Sequence, residues 1–136
     1  MHRGDVLRSL LLPAALLVAG CGSSDDAEKE LRSIASRAAT AHLVTGEWER
    51  GAAATPYASS TLRVIAGNLE KDSSSLASLP LPARHRGILG AHLSELSLAV
   101  REAGAAVSQG NRPAARNAMQ RMDAVARAFI PPVATP

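Results

Sequence analysis

The 136-residue chain has one cysteine, three aromatic residues, and two lysines against thirteen arginines. A single cysteine cannot close a bridge within the chain, so a disulfide-stapled scaffold is excluded. Ten glycines and eight prolines are ordinary numbers, which excludes collagen-like and low-complexity chains. With only Trp48, Tyr57 and Phe129 as aromatics, a core has to be built from small and branched aliphatic side chains. No strand-type alternation runs through the sequence. What the chain does have is alanine, 27 residues, and leucine, 17. Both are strong helix formers, and a hydrophobic share of 46% argues against wholesale disorder. The expected class is all-α, in one domain.

The N-terminus reads as an address. Arg3 and Arg8 precede an apolar run from Leu10 to Gly20. Eleven residues are too few for a bilayer span, which takes about 20, but they fit the apolar core of a secretory signal. The run ends in Val18-Ala19-Gly20-Cys21, which carries the only cysteine. In this the chain resembles the bacterial lipoprotein class, whose lipobox sets an aliphatic and two small residues before a cysteine. The resemblance covers the first 21 residues. It implies cleavage between Gly20 and Cys21, lipidation of Cys21 with diacylglycerol and an acyl (palmitate-type) chain, and membrane anchoring, since two or three chains hold where one does not. In that class an Asp after the cysteine retains the protein in the inner membrane. Gly22 stands there, so in a two-membrane host the resemblance implies the outer membrane, facing the periplasm.

Removing residues 1–20 leaves 116, with thirteen bases and eleven acids. That balance is no nucleic-acid footprint, and an extracytoplasmic location makes nucleotide-dependent roles unexpected. Residues 21–25 are a short tether. Even fully extended, the residues ahead of the first helix signal reach only about 15 Å, so the domain is expected to sit against the membrane.

Residues 26–130 read as four helices. Asp25 and Glu28 form a capping-box variant. Leu31, Ile34, Ala35, Ala38, Ala41, His42, Thr45 and Trp48 follow at helical spacing, and Gly51 is a stop. Thr55-Pro56 is a restart, hydroxyl cap before proline. A second stripe runs Leu62, Ile65, Leu69, Asp72, Leu76, Leu79, broken by Pro80-Leu81-Pro82. A third runs Ile88, Leu89, His92, Leu93, Leu96, Val100, Ala103, Val107, ended by Gly110-Asn111. The fourth is Ala115, Ala118, Met119, Met122, Val125, Ala126 and Phe129, stopped by Ile130-Pro131-Pro132, with a loose tail to Pro136. The helices are predicted at 26–50, 56–79, 82–109 and 112–130. Connectors of five residues or fewer favour an antiparallel up-down-up-down bundle. Gly67, Gly87, Gly90 and Gly104 fall inside predicted helices. They are expected to let helices approach closely, with a hinge at 87–90 as the alternative. The run Ser73-Ser74-Ser75 is expected on a solvated helix face.

Residues 21–79 carry six bases and eight acids, and residues 80–136 seven bases and three acids. The expectation is internal complementarity between an acidic first hairpin and a basic second one. The alternative is that Arg112, Arg116 and Arg127 face an anionic envelope partner or an acidic protein. His85 and His92 lie two turns apart, about 10 Å, too far for one metal. HExxH, Glu-x-x-His, CxxCH and G-x-S-x-G are all absent. One cross-helix pairing survives: His42 facing Met119 or Met122 across the first and fourth helices would be a haem or metal set. Against it, the methionines serve equally as core filler. Trp48 and Tyr57 sit near the tip away from the anchor, where they either plug the bundle or offer a contact surface. The expectation is a non-enzymatic, cofactor-free domain. It would act as an interaction or structural module near the membrane, with Trp48, Tyr57, Arg112 and Arg116 as candidate contacts.

Overall fold

The computed structural model describes the backbone of residues 3–130 and the side chains of residues 25–130; Cys21 and the lipobox side chains, and the tail from residue 131, lie outside what is described. The described residues form four helices, α1 (Arg3–Glu49), α2 (Thr55–Ala77), α3 (Ala83–Ser108) and α4 (Arg112–Ala126), followed by a 3-10 turn (Arg127–Phe129). The domain is all-helical and the four helices pack densely. α2 lies on α1, α3 on α2 and α4 on α3, α4 closes back on α1, and α1 also touches α3. Among the described residues no helix is long and apolar enough to cross a membrane.

The sequence stops work as their chemistry requires. Gly51 (φ +80°) and Gly110 (φ +65°) adopt the left-handed conformation that other residues take only at a cost. Each sits in a Schellman motif. Ala52 N–H donates to the Glu47 carbonyl and Gly51 N–H to that of Trp48; Asn111 N–H donates to Ala106 and Gly110 N–H to Val107. Asn111 then caps α4, its side-chain oxygen accepting from the Ala114 amide at 3.1 Å.

Two starts differ from expectation. α1 runs on upstream of Asp25, so while those residues remain attached the Asp25/Glu28 box has no free amides to cap. The N-cap of α2 is Ala54, without a side-chain bond. Thr55 is the first residue of the helix and its hydroxyl is engaged elsewhere, as described below.

One aliphatic cluster runs through the bundle, from Ile34, Ala38 and Ala41 of α1 to Ala115, Ala118 and Met122 of α4, with Leu62, Leu69, Leu93, Leu96 and Val100 fully buried between them. Ala38 and Ala41 of α1 and Ala115 and Ala118 of α4 contribute little side-chain volume to that core. Phe129 fills the space at the 3-10 turn and is 1% exposed. α4 is fifteen residues long and α3 twenty-six, a difference of about 16 Å. The first turns of α3 therefore extend past α4, which is why Ile88, expected in the core, is 47% exposed.

The interior glycines correct the close-packing expectation. A Cβ on Gly104 would meet Leu62 at 3.7 Å, an ordinary contact, but one on Gly67, Gly87 or Gly90 would meet nothing within 4 Å. Those three do not serve packing between helices of this chain. Ser73, Ser74 and Ser75 are exposed on α2, and Ser75 returns its hydroxyl to the Lys71 carbonyl.

Candidate functional site

Trp48, in the last turn of α1, is 7% exposed. Its indole Nε1 donates to Thr55 Oγ1 across the α1–α2 turn at 3.0 Å. The ring plugs that end of the bundle and presents little surface to a partner. Tyr57, by contrast, is 60% exposed. Arg116 is bonded to Glu49 of α1, whereas Arg112 has no carboxylate partner among the described residues. Of the four candidate contacts, Tyr57, Arg112 and Arg116 are open to solvent, and Trp48 alone is buried.

His42 lies on the outer side of the α1–α4 seam, Nε2 3.2 Å from Asp123 Oδ2. Met122 is buried in the core at 1% exposure. Met119 borders the same seam one turn away, its sulfur 3.8 Å from where a Cβ on Gly46 would stand. His42 is thus engaged with Asp123. The groove that Met122 lines, of about 280 Å³, is walled by Ala35, Ala38 and Ala39 and does not include His42. No three His, Cys, Asp or Glu side chains among the described residues are grouped to hold a metal ion.

The excess of acids in the first hairpin and bases in the second is met partly by bonds between them: Arg101 pairs with Glu70 and Arg116 with Glu49. Exposed pairs of this kind contribute about 0–1 kcal/mol each. Arg121 with Glu102 joins α3 to α4 within the second hairpin.

A different polar cluster lies inside. Asp72, which stands in the apolar stripe of α2, is 5% exposed. Arg37 of α1 grips it with two donors, Nε to Oδ2 at 2.7 Å and Nη2 to Oδ1 at 3.3 Å. Such a fork supplies the partner that a buried carboxylate requires. Glu30 lies two turns before Arg37 on α1; its Oε1 is buried and receives no hydrogen bond. Burial first, and then the Asp72 charge and a hydrogen bond with Asp72, push the Glu30 carboxyl above its ordinary range, while Arg37 acts the other way. On α3, His92 Nδ1 is also buried without a partner. The sequence signal for this cluster was Asp72 itself, a charge at an apolar stripe position. The partner on α1 was hidden, because Arg37 lies at the edge of its helix's apolar face.

The α2–α3 seam carries a groove of about 370 Å³, lined by Ser59, Arg63, Ala66, Gly67 and Gly104 among others. It is shallow and mixed in character, and it brings no nucleophile to a base. Comparison with protein-family models, with curated proteins and with solved structures finds no match for the chain.

Proposed function

We propose that the chain is the precursor of a lipid-anchored envelope protein whose helical domain is a non-catalytic interaction or structural module held close to a membrane. The observation that carries this reading is the coincidence of the only cysteine with the lipobox Val18-Ala19-Gly20-Cys21, six residues ahead of Ala27, the first buried residue of the core. Anchoring at Cys21 leaves no room for a long stalk, so the end of the domain next to Ala27 faces the bilayer. With Gly22 after the cysteine, the location in a two-membrane host is the outer membrane, facing the periplasm.

We also infer up-down-up-down connectivity. Partner numbers support it by running in opposite directions along each seam. On α1 and α4, His42 meets Asp123 and Glu49 meets Arg116. On α1 and α2, Arg37 meets Asp72 and Trp48 meets Thr55. On α2 and α3, Leu62 nears Gly104 and Glu70 meets Arg101. In that arrangement the α1–α2 and α3–α4 turns share the end away from the membrane. Tyr57, Arg112 and Arg116 are then the contacts offered to a protein or anionic envelope partner.

The test is growth with an alkyne analogue of palmitate, followed by intact-mass measurement. A labelled chain starting at Cys21, with label and processing both lost in Cys21→Ser, is the expected result. An unmodified chain that retains residues 1–20, or label that persists in Cys21→Ser, overturns the reading. Photo-crosslinking from positions 57 and 112 then asks for the partner.

A further inference from the structure

One corner of the domain is basic and apolar and has no acid of its own. From Ser73 to Ser94 the sequence contains no aspartate or glutamate, and it carries Arg84, His85 and Arg86. This stretch makes the turn from α2 to α3 and the first turns of α3. The turn is held in shape by its own bonds. Leu81 N–H donates to the Leu79 carbonyl at 2.8 Å, and Arg86 Nη1 reaches back to the Ala77 carbonyl at 3.3 Å. A carbonyl accepts that bond without neutralising the guanidinium, so Arg86 keeps its charge. Arg84 is exposed and has no carboxylate partner among the described residues. Ile88, one turn further on the same face of α3, is exposed as well, because α4 stops too short to cover it. An exposed cation beside an exposed aliphatic side chain suits the headgroup boundary of a bilayer, which offers phosphate to one and apolar depth to the other.

The corner stands at the right end of the bundle. Asp72 near the end of α2 meets Arg37, and Thr55 at its start meets Trp48, so the last turn of α2 points towards the end where Ala27 begins the core. Cys21 is six residues before Ala27, at most about 21 Å of extended chain. A domain anchored there stays near the surface, where a weak contact suffices to hold it. The same end has an edge of opposite sign on α1, where Asp25, Asp26 and Glu28 are exposed around Lys29. An anionic surface repels that edge and attracts the α2–α3 corner.

We propose that the α2–α3 corner, through Arg84, Arg86 and Ile88, docks on an anionic phospholipid bilayer, so that the domain leans on this corner instead of standing upright on its anchor. The side of the bundle that meets the bilayer rests on the lipid-anchor reading; the affinity of the corner for anionic lipid does not need the acyl chains.

The experiment reads docking in a chain that cannot be acylated. The full chain with Cys21→Ser receives an environment-sensitive fluorophore at Ala83→Cys, an exposed site beside Arg84, or at Tyr57→Cys, at the opposite end of α2. It is titrated with vesicles of phosphatidylcholine alone or mixed with phosphatidylglycerol. The label at 83 is expected to shift to the blue with the mixed vesicles and not with phosphatidylcholine, and the label at 57 is expected to stay in water. Each unit of charge at an anionic surface contributes about fivefold, so Arg84→Glu is expected to raise the half-saturating lipid concentration by about tenfold or more. Arg84→Lys, which keeps the charge, is expected to behave as wild type, and Ile88→Ser to reduce the blue shift. No shift at 83, an equal shift with both kinds of vesicle, an equal shift at 57, or an unaltered titration in Arg84→Glu overturns the proposal. So does a shift at 83 that grows with protein concentration and needs no vesicles, since a second copy then covers the corner. Acylation is read separately, by intact mass of the chain that keeps Cys21, so the docking corner and the lipid-anchor reading fail or stand independently.

Discussion

The indole of Trp48 at the end of α1 donates to the hydroxyl of Thr55 at the start of α2, 3.0 Å apart. One hydrogen bond thus spans the turn at Gly51 and ties the end of α1 to the start of α2. The ring behind it is buried. Trp48→Ala is expected to cost about 3–5 kcal/mol, the usual range for deleting a large buried ring. Trp48→Phe keeps most of the packing and loses the bond, and Thr55→Ala leaves the indole N–H unpaired; each is expected to cost about 1–2 kcal/mol. Urea unfolding followed by circular dichroism measures all three. A Trp48→Ala protein as stable as wild type would show that the ring belongs to a binding surface.

The Arg37–Asp72 pair makes an asymmetric prediction. Asp72→Ala strands Arg37 and Arg37→Ala strands a buried carboxylate, and removing one partner of a buried pair costs about 3–5 kcal/mol. The larger loss is expected for Arg37→Ala, because Asp72 is the more buried partner: its side chain is 7% exposed and that of Arg37 31%. Replacing both, as Arg37→Met with Asp72→Leu, removes the desolvation cost together with the attraction, and is expected to recover most of the loss. A double variant as unstable as the sum of the single ones would mean that the pair contributes nothing as a pair.

Glu30 gives a pH dependence with a defined sign. Its carboxyl holds a proton more tightly folded than unfolded, because of burial and then Asp72. The folded state therefore binds more protons, and stability falls as pH rises through the folded value. Its contribution is fully present below the ordinary carboxylate value and lost above the raised one. Glu30→Gln removes that dependence. The variant is expected to be the more stable protein at neutral pH and to match wild type below about pH 4. Melting temperatures across that range check it; curves that stay parallel would leave Glu30 without a role in stability.

Much of the fold was legible because alanine and leucine at helical spacing leave few alternatives, and because Gly51, Gly110 and Asn111 mark ends by backbone chemistry alone. What was not legible depended on neighbours in space. Ile88 belongs to an apolar stripe, yet it is exposed because α4 ends before reaching it. Trp48 could be read as plug or contact, and its burial depends on neighbours that helical spacing does not show. His42 fits the spacing of a core residue, but Asp123 draws it to the outer edge of the seam. Asp72 was visible as an anomaly, while Glu30 looked like an ordinary acid in the first turns of a helix. The burial of its Oε1 is a property of the packed helices.

Gly67 supplies the last prediction, and it follows from empty space. The residue lies inside α2 without the positive φ that glycine alone tolerates well, which among the described residues only Gly51 and Gly110 adopt. A Cβ placed on it meets nothing within 4 Å. Alanine therefore fits without strain and restricts the unfolded chain, a gain of about 0.5–1 kcal/mol. Gly51→Ala is the opposite case: space is open there too, but the backbone must hold φ +80°, and a loss of about 1 kcal/mol is expected. In a domain of this size the two changes should move the melting temperature in opposite directions, by about 4–8 °C for each kcal/mol. Gly67 is also part of the α2–α3 groove. If Gly67→Ala stabilises the isolated protein yet weakens a crosslink seen in cells, the open space at Gly67 is used by a partner, and the helix carries the cost of that glycine for the sake of the contact.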